Sequence, residues 1–269
     1  MKVITSDSIK KKIIDEIKDL KTDKKLLIVS QGNDKSVRLY KKSIIRKCKE
    51  YNIECVDKNF SDDENHKDII NGIYDSDEYK KYGGYIILQP LSENTDIKYL
   101  RKNLKDIFDL DGFSFESLGK MMDKDFSSMP QTSRAVLKFI EEEGVDVRGK
   151  KVVIANSSNV IGKPLNIYLN GISATVTTIH RATPDKKEIV RDCDIFISAI
   201  GTANFFNEDY FTDDTLIIDV GVSYVGDDFY GDVDYDSLKS KNVSVVKSTQ
   251  GVGSITTLCL IEKFLKENC

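Results

Sequence analysis

Apolar runs of strand length alternate with amphipathic helical stretches along almost the whole chain. "LLIVS" (26–30) precedes a helical pattern over 36–51, "IECVD" (53–57) one near 66–74, and "GYIILQP" (84–90) one near 96–104. A second series begins with a helical pattern over 131–143 and "KKVVIAN" (150–156). It continues with a helix over 161–170, "ATVTTI" (174–179), a helix over 184–191, "CDIFISAI" (193–200), "TLIIDVG" (215–221) and "VSVVKS" (243–248). A helix over 254–267 closes it. Short apolar strands separated by helices predict an α/β fold with a mainly parallel sheet, because helices cover both faces of such a sheet. At the N-terminus Ile9, Ile13, Ile17 and Leu20 fall on one helical face, with Asp7 or Ser8 placed to cap it.

The periodicity breaks at "KMMDKDFSSMP" (120–130), which marks a domain boundary. A length of 269 residues allows two modest domains or one large one. Apolar residues make up 40%, enough for a packed core, and charged residues 31%. The net charge of −4 argues against a general binder of phosphate backbones, so no nucleic-acid partner is expected, although a local basic patch is compatible with it. No stretch approaches the roughly 20 apolar residues of a membrane helix. The first residues lack the apolar core of a signal peptide, which predicts a cytoplasmic protein with no membrane partner. None of the five cysteines forms a Cys-x-x-Cys pair, and neither His66 nor His180 has ligand residues nearby in sequence. Reduced thiols are expected, and no structural metal.

"VVIANSSNVIGKP" (152–164) has the layout of the first strand, turn and helix of a nucleotide-binding half. In such a unit the helix start offers N–H groups to a pyrophosphate. The glycine-rich fingerprint is missing: Ala155 and Ser157 occupy glycine places and only Gly162 remains. A purely structural strand–loop–helix has the same outline. The next strand ends at His180 and Arg181, where an NAD enzyme commonly carries an acidic residue for the ribose. A cation there suits a 2′-phosphate and favours NADP over NAD, although Arg181 is equally compatible with an ordinary surface position. Gly201, after "CDIFISAI", permits close approach of a cofactor or simply makes a turn.

Taken together, several segments resemble the bifunctional methylenetetrahydrofolate dehydrogenase/cyclohydrolases (FolD type). "NSSNVIGKPL" is similar to that family's serine-rich Val-Gly-x-Pro loop, and "ATVTTIHRAT" to its Thr-Val-Thr-x-x-His segment. "LIIDVGVSYVGDDFYGDV" resembles its Ile-Asp-Val-Gly stretch and later Gly-Asp-Val. "FDLDGF" (108–113) resembles Lys-Asp-Val-Asp-Gly, "PQTSRA" (130–135) matches Pro-Cys-Thr-Pro loosely, and "QGVGSITT" (250–257) resembles Gly-Gly-Val-Gly-Pro-Met-Thr. The matches follow family order over nearly the whole chain.

The resemblance implies two α/β domains with a cleft between them, usually in a homodimer. Residues 1–125, completed by a C-terminal helix at 254–269, would bind folate; residues 126–253 would form a Rossmann-like doubly wound parallel sheet for NADP. On the cofactor side it points to Asn156, Ser157, Ser158, Val160, Gly162, Pro164, His180, Arg181, Gly201, Asp219 and Gly221. On the substrate side it points to Tyr40, Gln89, Pro90, Leu91, Asp111, Gly251 and Gly253, with Tyr40 and Asp111 at the chemistry. The Tyr40 ring could stack on a flat folate, or simply half-fill a helix core position. Asp111 could accept paired N–H bonds from a pterin, or belong to a common Asp-Gly turn.

This sequence departs from the family at the folate side. The catalytic lysine, four residues after the tyrosine, is Ile44. The family's glutamine ahead of the Pro-Leu pair falls on Leu88, with Gln89 beside it on the opposite face of a strand unless a bulge intervenes. Proton transfer during hydrolysis needs such a lysine more than hydride transfer does. The expectation is therefore an NADP-linked dehydrogenase acting on tetrahydrofolate derivatives with weak or absent cyclohydrolase. Alternatives are a fully bifunctional enzyme in which Lys47 or Gln89 replaces the missing groups, a catalytically silent folate- or NADP-binding relative, and a Rossmann oxidoreductase on another small substrate.

Overall fold

The structure is a computed structural model that describes residues 1–269 except 75, 76, 105, 106 and 227, together with all but the side chains of Val225, Thr249 and Gln250. In chain order the first elements are β1 (Lys2–Ile4), α1 (Asp7–Ile17), β2 (Lys25–Gln31), α2 (Lys35–Glu50), β3 (Cys55–Phe60) and α3 (His66–Tyr74). Next come β4 (Tyr82–Ile87), α4 (Ile97–Asn103), α5 (Phe115–Met122), α6 (Gln131–Glu142), β5 (Lys151–Ala155) and α7 (Gly162–Gly171). Then follow β6 (Thr175–Thr178), α8 (Lys186–Arg191), β7 (Ile195–Ser198), β8 (Leu216–Asp219), β9 (Ser223–Val225) and β10 (Asp228–Tyr230). The last two are β11 (Ser244–Val246) and α9 (Gly253–Asn268).

The chain divides into two compact units. One comprises Met1–Lys12 with Thr132–Thr256, the other Ile13–Gln131 with Thr257–Cys269. The expectation that residues 1–125 share one domain is corrected at the N-terminus. Val3 and Ile4 place β1 beside β11, where Lys2–Ile4 pairs in parallel with Ser244–Val246. Three residues are too few to give a periodic signal, so only the neighbouring strand reveals β1. α1 begins at Asp7, so Ser6 rather than Asp7 or Ser8 precedes its first turn.

The larger unit holds a six-stranded parallel sheet in the order β1-β11-β8-β7-β5-β6. After β5 the chain crosses outward to β6; the later strands build on the other side of β5, beginning with β7. The order therefore reverses between β5 and β7, and the loops leaving these two strands diverge and open a crevice. The core is aromatic: Phe196 on β7 meets Phe206 and Phe211 edge-on, with ring centroids 4.7 and 5.4 Å apart. A short antiparallel hairpin of β9 and β10 carries the partly exposed Tyr224 and Phe229.

The smaller unit holds a three-stranded parallel sheet in the order β3-β2-β4. Central β2 buries Leu26, Leu27, Ile28 and Val29 completely, as a strand covered on both faces must. α2 is started by Asp34, whose carboxylate accepts the N–H groups of Ser36 and Val37 at 2.8 and 3.0 Å, and it buries Val37, Ile44 and Cys48. α5 runs into the stretch where the sequence pattern breaks. Its start is set by Ser114, whose hydroxyl accepts the Ser117 N–H at 3.0 Å. Among the described residues no helix is long and apolar enough to cross a membrane.

Because Phe196 is fully buried among other rings, Phe196→Ala should cost the larger unit roughly 3–5 kcal/mol. Urea unfolding followed by circular dichroism reads this as a lower midpoint; a loss below about 1 kcal/mol would mean the aromatic cluster is not a packed core.

Candidate active site

In the larger unit a cavity of about 470 Å³ opens where the sheet order reverses. Ala155, Asn156 and Ser157 at the end of β5 form one wall, and Ala199, Ile200 and Thr202 beyond β7 form another. His180, Arg181 and Lys186 bring cationic or titratable side chains to it, while Ile179 and Phe205 give apolar surface. A dinucleotide needs this combination of a flat apolar slot and cations for phosphate.

The glycine-poor loop is held by Asn156. Its Oδ1 accepts the N–H groups of Ser158 and Gly162 at 2.8 and 3.0 Å, and its Nδ2 donates to Ala199 O at 2.7 Å. Gly162 has no space for a side chain, since a Cβ would lie 2.0 Å from Asn156 O. The Ser158 hydroxyl accepts the Ile161 N–H at 3.1 Å, and Ser133 Oγ donates to Val160 O at 2.8 Å. The Lys163 N–H donates to Ser158 O at 3.0 Å, and Pro164 has no N–H. The start of α7 is thus not a row of free amides, and the Gly-rich arrangement is replaced by an asparagine clasp. Ser158, Val160, Gly162 and Pro164 shape the loop, whereas Asn156 and Ser157 face the cavity.

Asp219 and Gly221 stand behind the cavity. Asp219 is fully buried; its Oδ1 accepts the Asp232 N–H at 3.1 Å, and its Oδ2 accepts Val233 N–H at 3.0 Å and the Tyr235 hydroxyl at 2.7 Å. Asp232 in turn accepts Ser198 Oγ at 2.6 Å, Ile200 N–H at 2.7 Å and Thr202 N–H at 2.8 Å. Gly221 leaves room for this carboxylate, which a Cβ would meet at 2.1 Å. Asp219 therefore supports Asp232, and Asp232 fixes the turn through Gly201 (φ +66°) that borders the cavity. Asp219 itself does not line it. Burial, with the Asp232 charge adding to it, pushes the Asp219 carboxyl up to about 7.

Gly251 and Gly253 belong to this larger unit. Gly251 lines a second cavity, of about 230 Å³, with Thr5, Asp7, Lys10 and Lys247. Gly253 opens α9.

In the smaller unit Asp111 sits in a turn that Asp109 organises. Asp109 Oδ1 accepts the Asp111 N–H at 3.1 Å; its Oδ2 accepts Ser114 N–H at 2.8 Å and Ser117 Oγ at 2.7 Å. Gly112 follows at φ +64°, where a Cβ would strike Ser128 O and the Pro130 ring. Asp111 Oδ1 accepts the Gln131 N–H at 2.7 Å. The Gln131 side-chain amide and the Lys263 ammonium both donate to Leu110 O, the latter at 3.1 Å. Burial pushes the Asp111 carboxyl up to about 6, against the opposing Gln131 hydrogen bond. Tyr40 is half-buried; burial, then the Asp111 and Cys259 charges, hold its hydroxyl protonated far above neutral pH. Tyr40 and Asp111 are thereby within electrostatic reach of each other.

Ile44, one turn after Tyr40, is fully buried in the core. Lys41 binds Ser30 Oγ and Asp57 at 2.9 and 3.0 Å, and Lys47 pairs with Glu50 at 2.8 Å beside the Tyr51 ring. Lys47 is thus turned to the C-terminal end of α2 and does not take the missing lysine's place. Leu88 is buried and continues the sheet through its N–H to Val29 O at 2.8 Å. β4 has ended by then, so Gln89 stands in an exposed loop with Pro90, joined by a cis peptide; the register shift of β4 against β2 lies at its start, opposite Lys25 and Leu26, and leaves Gln89 off the sheet face. The loop beyond Leu91 is tied down by buried Gln31, whose Oε1 accepts Ser92 N–H at 3.0 Å and Thr95 Oγ1 at 2.7 Å.

Residues 3–111 match the family profile described as "Tetrahydrofolate dehydrogenase/cyclohydrolase, catalytic domain", and residues 130–269 match its "NAD(P)-binding domain". The chain belongs to the tetrahydrofolate dehydrogenase/cyclohydrolase family. It is 31% identical over 251 residues to the bifunctional protein FolD of Clostridium botulinum, covering 93% of this chain and 89% of that one. It is 30% identical over 264 residues to FolD of Dictyoglomus thermophilum, covering 97% and 93%. Among solved structures, the bifunctional dehydrogenase/cyclohydrolase of Thermoplasma acidophilum aligns with a TM-score of 0.87 at 27% identity, over 99% of this chain and 98% of that one.

Membership corrects the dehydrogenase-only expectation built on Ile44. The FolD relatives from both bacteria, and the Thermoplasma enzyme, are named as bifunctional. Ile44 is a buried core residue of α2. Sequence reasoning missed Lys186, Asp109, Asp232 and Lys263. Asp232 lay within the Gly-Asp-Val match, and Lys263 was visible beside Glu262 as a charge in the otherwise apolar run "CLIEKFL". Lys186 gave no signal.

Asp219 titrates near 7 in the folded chain against an ordinary 3.8. Its protonation stabilises the fold fully below pH 3.8, and this contribution fades as pH rises through 7. Asp219→Asn should be less stable throughout, by about 1–3 kcal/mol from its broken hydrogen bonds, and should lack that pH-dependent contribution. Denaturation midpoints of parent and variant from pH 4 to 8 check this: the gap should narrow with rising pH.

Proposed function

We propose that the chain is a bifunctional, NADP-linked 5,10-methylenetetrahydrofolate dehydrogenase and methenyltetrahydrofolate cyclohydrolase. The observation that carries this reading is the pairing of two differently built sites in one family member. One is a cation-bearing cavity at the strand-order reversal; the other is a Tyr40–Asp111 centre whose carboxyl titrates near 6. NADP, when bound, supplies the hydride acceptor. Asn156 and Ser157 would hold its phosphates, and His180, Arg181 and Lys186 the 2′-phosphate that separates it from NAD.

Asp111, ionised above about pH 6, accepts the two adjacent N–H groups of a pterin edge. Tyr40 stays a hydrogen-bond donor over the working pH range and offers its ring face to the pterin. A carboxyl titrating this near neutrality is also matched to proton exchange during hydrolysis of the methenyl carbon. A homodimer in the cytoplasm belongs to the same reading, with the partly exposed aromatic hairpin of β9 and β10 as support for self-association.

The test follows hydride transfer from 5,10-methylenetetrahydrofolate with NADP and with NAD. The parent should prefer NADP. Arg181→Ala combined with Lys186→Ala should lower kcat/KM for NADP by roughly 10–100-fold, the worth of one or two charged hydrogen bonds, and leave NAD nearly unchanged. Equal loss with both cofactors would remove these residues from 2′-phosphate recognition. Asp111→Asn should raise KM for the folate by roughly 10-fold or more, with little change in cofactor KM; an unaltered folate KM would contradict its role.

A further inference from the structure

The family position for a lysine, one turn beyond the tyrosine, is filled here by buried Ile44, yet a lysine does reach the Asp111 turn from another element. Lys263 on α9 is only 3% exposed. Its ammonium donates to Asp109 O at 3.2 Å and Leu110 O at 3.1 Å, and lies 5.0 Å from the centre of the Phe108 ring. These contacts replace part of the hydration that a buried ammonium loses. They also fix the cation on the two peptide units immediately before Asp111. Cys259, one turn earlier on α9, is near enough to Tyr40 to influence its hydroxyl. The same helix face therefore serves both members of the centre.

We propose that Lys263 is a positioning residue for the folate centre: it anchors the turn that presents Asp111 and supplies, from α9, the positive charge that Ile44 cannot supply from α2. This rests on the folate reading given above. The groups facing Asp111 are Asp109 on its own turn, Lys263 on α9, Tyr40 on α2 and the Gln131 N–H of α6; Cys259 on α9 bears on Tyr40, and Asp125 on Lys263. Of the side chains among them only Lys263 is cationic, and it opposes the upward push of burial and of Asp109 on the Asp111 carboxyl. Without Lys263 that carboxyl should remain protonated to a higher pH, and fewer molecules would hold it as the acceptor a pterin edge needs.

The experiment titrates the Asp111 carboxyl by ¹³C NMR in aspartate-labelled full-length protein, with Asp111→Asn to assign the signal. Parent, Lys263→Met, Lys263→Gln and Lys263→Arg are compared; the glutamine variant keeps a donor for the carbonyls if methionine disturbs folding. The Asp111 midpoint should rise by roughly half to one pH unit in the methionine and glutamine variants and return in the arginine variant. The acid limb of hydride transfer should move with it. An unmoved midpoint in the folded methionine or glutamine variant overturns the proposal. If the parent turns over no folate while the midpoint still moves, the folate reading falls and the coupling of Lys263 to Asp111 stands. An active parent with an unmoved midpoint removes Lys263 alone.

Discussion

A buried carboxylate must have its oxygens filled by donors, and this chain uses that requirement to freeze the loops where its chemistry sits. In the larger unit the order runs from Asp219 to the Asp232 backbone, and from the Asp232 carboxylate to the turn through Gly201. In the smaller unit Asp109 performs the same task for the turn that presents Asp111. Each of these carboxylates takes up backbone N–H groups that no helix or sheet ladder satisfies. Removing one leaves several amides without partners at once, which costs more than one ordinary surface contact.

The division of labour among acidic residues follows from the same rule. Asp219 and Asp109 spend their lone pairs internally and act as struts, whereas Asp111 accepts one backbone N–H from Gln131 and stands beside a tyrosine and a lysine. Motif matching alone could not separate strut from ligand contact. Asp219 lies in the most recognisable stretch of the chain, "LIIDVG", and is a strut; Lys186 lies in an unremarkable one and borders the cavity at the strand-order reversal.

The α/β class and the principal strands and helices were legible because each carries a continuous apolar run or a helical stripe that does not depend on its neighbours. β1, α5 and the β9–β10 hairpin were not, because they are short and their stability comes from a partner strand or a single capping serine. The loop of Asn156 to Pro164 was legible as a strand-to-helix turn, but its means of closure was not. The asparagine clasp depends on Ala199, which is far away in sequence. For the same reason Ile44 misled: a missing side chain at one helix position is visible in sequence, while a cation arriving from α9 is visible only in three dimensions.

The central claim is that a family member without the lysine after its tyrosine still carries out the hydrolytic step. The most direct measurement follows the decay of methenyltetrahydrofolate absorbance near neutral pH, with and without the purified parent protein. The account predicts decay well above the buffer's own rate, on the order of the 10²–10⁴-fold that positioned acid–base groups provide. Decay at the buffer rate, from protein that carries out hydride transfer in the same preparation, would contradict it.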